Sequence, residues 1–126
     1  MRKTRLRTIA THEAYTKEQT THPNYNQEHI YKPGERDTIV REYTHWYIIK
    51  NNFPYDAVAT RHDMLVPKRV FGSLSDATAV ERAEYEEIIS ALEDEKMYDC
   101  IIVNFSKERS VHKHFHTHLI VWETVT

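Results

Sequence analysis

Glycine occurs only twice in the 126 residues, at positions 34 and 72. Neither G-x-G-x-x-G nor G-x-x-x-x-G-K-S/T can be written with them, so the Rossmann and P-loop ways of cradling a nucleotide phosphate are excluded. The single cysteine, Cys100, permits no disulfide within the chain, and the basic start runs into no apolar signal core. On that reading the address is cytoplasmic. No unbroken apolar run exceeds four residues, as in Cys100 to Val103 and Leu119 to Trp122, against the roughly 18 a membrane-spanning helix requires. No membrane partner is expected. A surplus of one charge is missing too: 17 basic and 19 acidic side chains leave −2, so no broad nucleic-acid binding is expected. Histidine is what the chain has in quantity, nine in all.

The length suits one domain. Residues 1–37 are polar and poor in aliphatic side chains, with Pro23, Pro33 and Gly34 as breakers and Arg2, Lys3, Arg5 and Arg7 crowded at the front. They read as an N-terminal extension with a solvated basic start and a helical turn or two near His12 to Thr20, ahead of a folded domain over 38–126. Ile39–Val40 and then Trp46 to Ile49 are β-branched and aromatic, ended by Asn51, Asn52 and Pro54, as a first core strand would be. Met64 to Val66 forms a second strand stopped by Pro67, which cannot donate to a ladder. From about Thr78 to Lys96 the period turns helical: Tyr85, Ile88, Ile89 and Leu92 make one stripe, and Thr78 with Glu81 has the spacing of a capping box. Cys100 to Val103, a polar connection and a long last strand from Val111 to Trp122 complete an α+β domain on a mostly antiparallel sheet.

Within that last strand histidine stands at every second position, His112, His114, His116 and His118. At 9 histidines in 126 residues, four at fixed alternate places arise in roughly 0.3% of shuffled sequences, the false-positive risk of this motif. Alternate residues of a strand share one face, spaced by about 6.6 to 6.8 Å, and Phe115 points the other way. A neutral imidazole flanked by two others is a nucleophile whose neighbours can donate protons, and an ordinary pKa near 6.5 lets one attack while another is charged. Metal chelation is the competing chemistry. Three imidazoles in such a row cannot all reach one ion at the usual nitrogen distances. The His116, His118, Glu123 spacing is that of a cupin, but no glycine stands six residues before His116. No metal ligands are assigned.

The segment His114 to Ile120, HFHTHLI, resembles the His-φ-His-φ-His-φ-φ signature of the histidine triad (HIT) family of nucleotide hydrolases and transferases. Asn51 to Tyr55, NNFPY, is similar to the family's Asn-x-Phe-Pro-Tyr. His62 to Arg69, HDMLVPKR, is similar to its His-φ-φ-φ-φ-Pro-Lys-Arg, and Asn104 with Ser110–Val111 to the elements before the triad. The resemblance spans Tyr43 to Trp122. It implies a HIT-like fold, with about five antiparallel strands, one main helix at 78–96 and the polar extension. It also implies attack on the α-phosphate of a nucleotide conjugate with no metal or cofactor. By position His116 is then the nucleophile, His114 and His118 flank it, His118 is the proton donor to the leaving group, and His62 orients the cluster. Asn51 falls by the ribose, Asn104 and Ser110 by the phosphates. Many relatives pair into homodimers through the helix and the sheet edge; the sequence leaves that open.

A triad of His112, His114 and His116 is the other register, but it puts Lys113 in an apolar slot and Thr117 and His118 in place of the final apolar pair. The chain departs from the family at Lys107, Glu108 and Arg109, where a glycine-rich approach is usual, at Val70, where a second histidine often stands, at Asp63 and Thr117 in apolar slots, and by two extra residues between NNFPY and His62. A non-catalytic nucleotide- or metal-binding module is the alternative function.

Overall fold

The computed structural model describes residues 6–21, 31–105 and 114–124. Ser110, His112 and residues 107–109, singled out above, lie outside the described residues. The elements are α1 (Ile9–Thr21), β1 (Ile39–Glu42), β2 (Trp46–Lys50), β3 (Ala59–Pro67), α2 (Ala79–Glu95), β4 (Cys100–Ile102) and β5 (Thr117–Trp122), with a short 3₁₀ turn at Leu74–Asp76. The strands form one antiparallel sheet in the order β1-β2-β3-β5-β4. This is the α+β, five-stranded HIT-like arrangement expected from the sequence. The first expected strand is in fact a hairpin, because the Tyr43 N–H donates to the Trp46 carbonyl at 2.8 Å and turns the chain there. Near the N-terminus the helix is longer than the turn or two expected, running from Ile9 to Thr21 with Tyr15 buried.

Helix α2 is built as its sequence dictates. Thr78 caps it, its hydroxyl accepting from the Glu81 N–H while the Glu81 carboxylate accepts from the Thr78 N–H. The same carboxylate accepts from Arg69 at 2.8 Å, and that pairing holds it down to about 2. Its apolar stripe, Tyr85, Ile88 and Leu92 with Ile89 beside them, packs on Trp46, Ile48, Leu65 and Leu119 of the sheet and on Phe115 just before β5. Each large aliphatic side chain so buried contributes about 1.5–3 kcal/mol. The Trp46 indole N–H donates to the Glu81 carbonyl at 2.9 Å, and the Tyr85 and Thr117 hydroxyls pair at 2.7 Å, so these polar groups on the helix side have partners.

The last strand is shorter than expected among the described residues. It begins at Thr117, opposite Leu65, and pairs onward to Trp122 opposite Ala59. Two residues further back its partner would be Pro67, which has no N–H to offer, and the Phe115 N–H donates instead to the Phe71 carbonyl at 2.7 Å. His114 and His116 therefore lie on the irregular approach to β5, and only His118 lies in it. The alternation survives this: Phe115, Thr117 and Leu119 face α2, while His118 and Ile120 face the other side with His62, Met64 and Val66 of β3 and Ile49 of β2. Among the described residues no helix is long and apolar enough to cross a membrane.

Removing the Thr78 cap by Thr78→Ala should cost about 1 kcal/mol, and Leu119→Ala about 2–5 kcal/mol because it empties the tightest part of the helix-side core. Urea unfolding of the two variants should rank them in that order; equal losses would mean that the core does not close over Leu119 as described.

Candidate active site

The sheet face opposite α2 gathers the histidines. Met64 lies opposite His118 and His62 opposite Ile120, so His62 and His118 are diagonal neighbours on adjacent strands. Their rings meet nitrogen to nitrogen, His62 Nε2 to His118 Nδ1, at 2.8 Å. The other contacts settle where the protons are. The backbone N–H of Tyr55 donates to His62 Nδ1 at 3.0 Å, so that nitrogen is an acceptor and Nε2 carries the hydrogen. His62 then donates to His118 Nδ1, and His118 Nε2 donates to the Tyr55 hydroxyl at 3.3 Å. Tyr55 thus opens and closes a circuit through two neutral imidazoles. Its ring packs against both, at 4.3 and 5.1 Å between centroids, and its hydroxyl takes a further hydrogen bond from Asn104.

Burial holds His62 down to about 3, assisted by the Arg7 cation and by His116. The same cause, with His116, His62 and Arg7 adding to it, pushes His118 well below the ordinary range. The charge division that an ordinary imidazole pKa would allow is therefore absent from the resting site: His62 and His118 are neutral at pH 7.

His116 is presented differently. Its Nδ1 lies 2.9 Å from the His114 carbonyl, which can only accept, so Nδ1 carries the hydrogen and Nε2 carries the lone pair. Its ring stands edge-on to that of His118, 4.9 Å away. The Asn51 side-chain amide lies 3.2 and 3.5 Å from the two His62 nitrogens, and its oxygen accepts from the Phe53 N–H at 2.8 Å. Of the expected site residues, His62, His114, His116, His118, Asn51 and Asn104 thus converge on this face, Asn104 through Tyr55, while Ser110 lies outside the described residues.

Three residues join them that the motifs did not single out. Tyr55 is part of NNFPY, but its role depends on a fold that brings its N–H and its hydroxyl to different rings. Tyr31 and Arg7 come from the extension. The Tyr31 ring lies against those of His114 (4.6 Å) and His116 (5.9 Å). Arg7 donates from Nε to the Phe53 carbonyl at 2.7 Å and lies over the Tyr15 and Tyr55 rings at 4.2 and 4.9 Å. No spacing in the sequence announces either. Among the described residues no group of three His, Cys, Asp or Glu side chains is arranged to hold a metal ion.

No family model and no curated protein matches the chain. Solved structures do. A histidine triad protein from Clostridium difficile is similar at 26% identity over 71% of this chain and 82% of that one, with a TM-score of 0.52. A HIT family hydrolase from Clostridium thermocellum matches at 24% identity over 71% and 83%, TM-score 0.53. A HIT family hydrolase from Legionella pneumophila matches at 18% over 71% and 85%, also at 0.53. These likenesses bear out the resemblance to the histidine triad family read from the sequence, and the fold is that family's.

A histidine held at about 3 in the folded protein against 6.5 when unfolded binds fewer protons folded. Stability is therefore fully present above about pH 6.5 and is lost as pH falls towards 3, by at most about 1.4 kcal/mol per pH unit for each such histidine. Urea midpoints measured between pH 7 and pH 4.5 should fall less steeply in His62→Gln than in the parent chain. Identical slopes would mean that His62 titrates normally in the fold.

Proposed function

We propose that this histidine triad chain is a cytoplasmic nucleotide-binding hydrolase or transferase that works at the α-phosphate of a nucleotide conjugate through a nucleotidyl-histidine. The observation that carries the reading is the hydrogen bond from His116 Nδ1 to the His114 carbonyl, which leaves the lone pair on Nε2. A nucleophile fixed in the reactive tautomer by a backbone acceptor needs no general base. In the first step the His116 Nε2–phosphorus bond forms as the bond from phosphorus to the leaving group breaks. The leaving group takes a proton. In the second step water or another acceptor attacks the same phosphorus, its proton departs, and the Nε2–phosphorus bond breaks.

His118 is the proton donor in this scheme. It is neutral at rest, so it takes up a proton from solvent as substrate binds: a phosphate anion set beside His116 and His118 favours the imidazolium that burial alone disfavours. His62 then serves as a positioning residue, its ring fixed by the Tyr55 N–H and turned towards His118 Nδ1. His114 supplies its carbonyl to His116 and its ring to the floor of the site. Asn51 and Asn104 border the cluster where a ribose and phosphate oxygens would lie, with Ser110 joining the phosphate side by resemblance. Which base, which leaving group and which acceptor are used calls for a screen of adenosine and guanosine phosphoramidates, dinucleoside polyphosphates and adenylylated sugars.

His116→Ala should lose turnover by several orders of magnitude while the unfolding curve keeps its shape, because a nucleophile is removed from the face opposite the helix-packed core. Loss of a single positioning hydrogen bond, as in Asn104→Ala or Ser110→Ala, is worth about 0.5–1.5 kcal/mol, or roughly tenfold in rate. Rapid quench at neutral pH followed by mass spectrometry should find an acid-sensitive nucleotidyl adduct on His116. Full activity in His116→Ala with loss in His114→Ala would move the triad to the earlier register. Stoichiometric zinc in untagged protein, with no turnover of any nucleotide, would instead support the metal-binding alternative.

A further inference from the structure

All four described histidines of the site are covered, His62, His114, His116 and His118 being between 3 and 5% exposed. That conflicts with their proposed work. A nitrogen that attacks phosphorus must be reached by a phosphate group and whatever it carries, so something in the resting structure has to give way. Over His114 and His116 that something includes Tyr31. Its ring lies edge-on to both, on the apolar strip formed by Ile49, Met64 and Val66, and its hydroxyl donates to the Met64 sulfur at 3.8 Å.

The backbone beneath this ring is firmly set. The Lys32 N–H donates to Asp37 Oδ2 at 2.5 Å, Asn52 Nδ2 donates to Asp37 Oδ1 at 3.0 Å, and the Gly34 N–H donates to the Asp37 carbonyl at 2.9 Å. The Lys32 carbonyl accepts from the N–H groups of Glu35, Arg36 and Asp37, and Gly34 takes the positive φ of 86° that closes the turn. Arg36 pairs with Glu18 of α1 at 3.1 Å. Asp37 is itself buried and joined to Asn52, the neighbour of Asn51. Tyr31 is thus aimed at the histidines by a turn that does not depend on them.

We infer that Tyr31 is a specificity-determining residue, a cover contributed by the N-terminal extension that restricts His116 to substrates able to displace its ring from the Ile49–Met64–Val66 strip. This rests on the function proposed above, with His116 as the nucleophile. A planar heteroaromatic group displaces the ring at least cost, because it can take over both the apolar strip and the edge contacts with His114 and His116. A flexible, purely polar phosphate ester can take over neither. When the competent state is only a fraction of the population, apparent affinity is lowered by that fraction. Removing the ring should therefore raise kcat/KM most for the substrates that displace it worst, narrowing the preference for those that displace it well.

The test uses the full chain with Tyr31→Ala, Tyr31→Leu and Tyr31→Phe, two readouts and His116→Ala as the reference for the nucleophile. The first readout is the rate at which diethyl pyrocarbonate modifies His116, located by mass spectrometry. It should rise on the order of tenfold in Tyr31→Ala and stay slow in Tyr31→Phe, which keeps the ring. Tyr31→Leu keeps apolar bulk on the strip, so it guards against a variant that opens only because it is poorly folded; it should lie between the two. The second readout is the ratio of kcat/KM for an adenosine phosphoramidate to that for a small phosphoramidate without a base, which should fall in Tyr31→Ala. An unchanged modification rate in Tyr31→Ala would overturn the inference. So would a faster modification rate with the substrate ratio unmoved or raised. If no nucleotide is turned over even by the parent chain, the functional reading fails, and the specificity inference fails with it. If the parent turns over nucleotides and His116→Ala does not, the functional reading stands and the Tyr31 variants alone decide the inference.

Discussion

The pairing of β3 with β5 is the constraint on which the rest depends. With Leu65 opposite Thr117, Met64 opposite His118 and Asp63 opposite Leu119, each strand sends one set of side chains to α2 and the other to the histidine face. A slip of one residue would exchange the two sets. His118 would then be driven among Trp46, Tyr85 and Leu92, and Leu119 would replace it beside His62. The apolar side penalises that slip heavily, since Leu65 and Leu119 are fully buried there. The register that brings the histidines together is thus enforced from the helix-packed side of the sheet.

Burying imidazoles is costly unless their nitrogens are satisfied. The circuit from the Tyr55 N–H through His62 and His118 to the Tyr55 hydroxyl meets that need with neutral rings, each giving one hydrogen and accepting one. Arg7 adds to the same bias, because a cation beside the cluster opposes any proton added to it. The arrangement therefore keeps His62 and His118 neutral in the resting site.

Much of this was legible in the sequence. The helix stripe and capping box of α2 depend on contacts three and four residues apart, which the chain displays directly, and α2 ends where they say. The histidines of the site were named by a local motif and a resemblance. What stayed hidden has non-local causes. β5 starts late because of Pro67, some fifty positions away in the chain and brought near only by strand pairing. Asp63 stands in an apolar slot, its Oδ2 held by hydrogen bonds from the Tyr98 hydroxyl and Arg61, both outside the motif. Tyr31 and Arg7 belong to a stretch whose polarity reads as solvated, and neither has neighbours in sequence that mark it. Composition describes how much of such a stretch is apolar; it does not say where one aromatic ring lands.

The segment from Asn51 to Asp56 joins these levels. Asn51 and Tyr55 turn to His62, and Tyr55 also to His118. The residues between and after them turn to the extension: Asn52 donates to Asp37, the Phe53 carbonyl accepts from Arg7, and the Asp56 carboxylate accepts from the Thr8 N–H at 2.9 Å and from the Thr11 hydroxyl at 2.6 Å. The Ala57 N–H adds a bond to the Leu6 carbonyl at 3.0 Å. One short loop therefore orients the histidines with Asn51 and Tyr55 and anchors with Asn52, Phe53 and Asp56 the chain that covers them. A change in how the extension sits must act on Asn52, Phe53 or Asp56, and through them on Tyr55, whose N–H and hydroxyl set the tautomers of His62 and His118. Tyr31, which lies over His114 and His116, and Tyr55, which sets the tautomers of His62 and His118, are in this way tied to one loop although they are 24 positions apart in the chain.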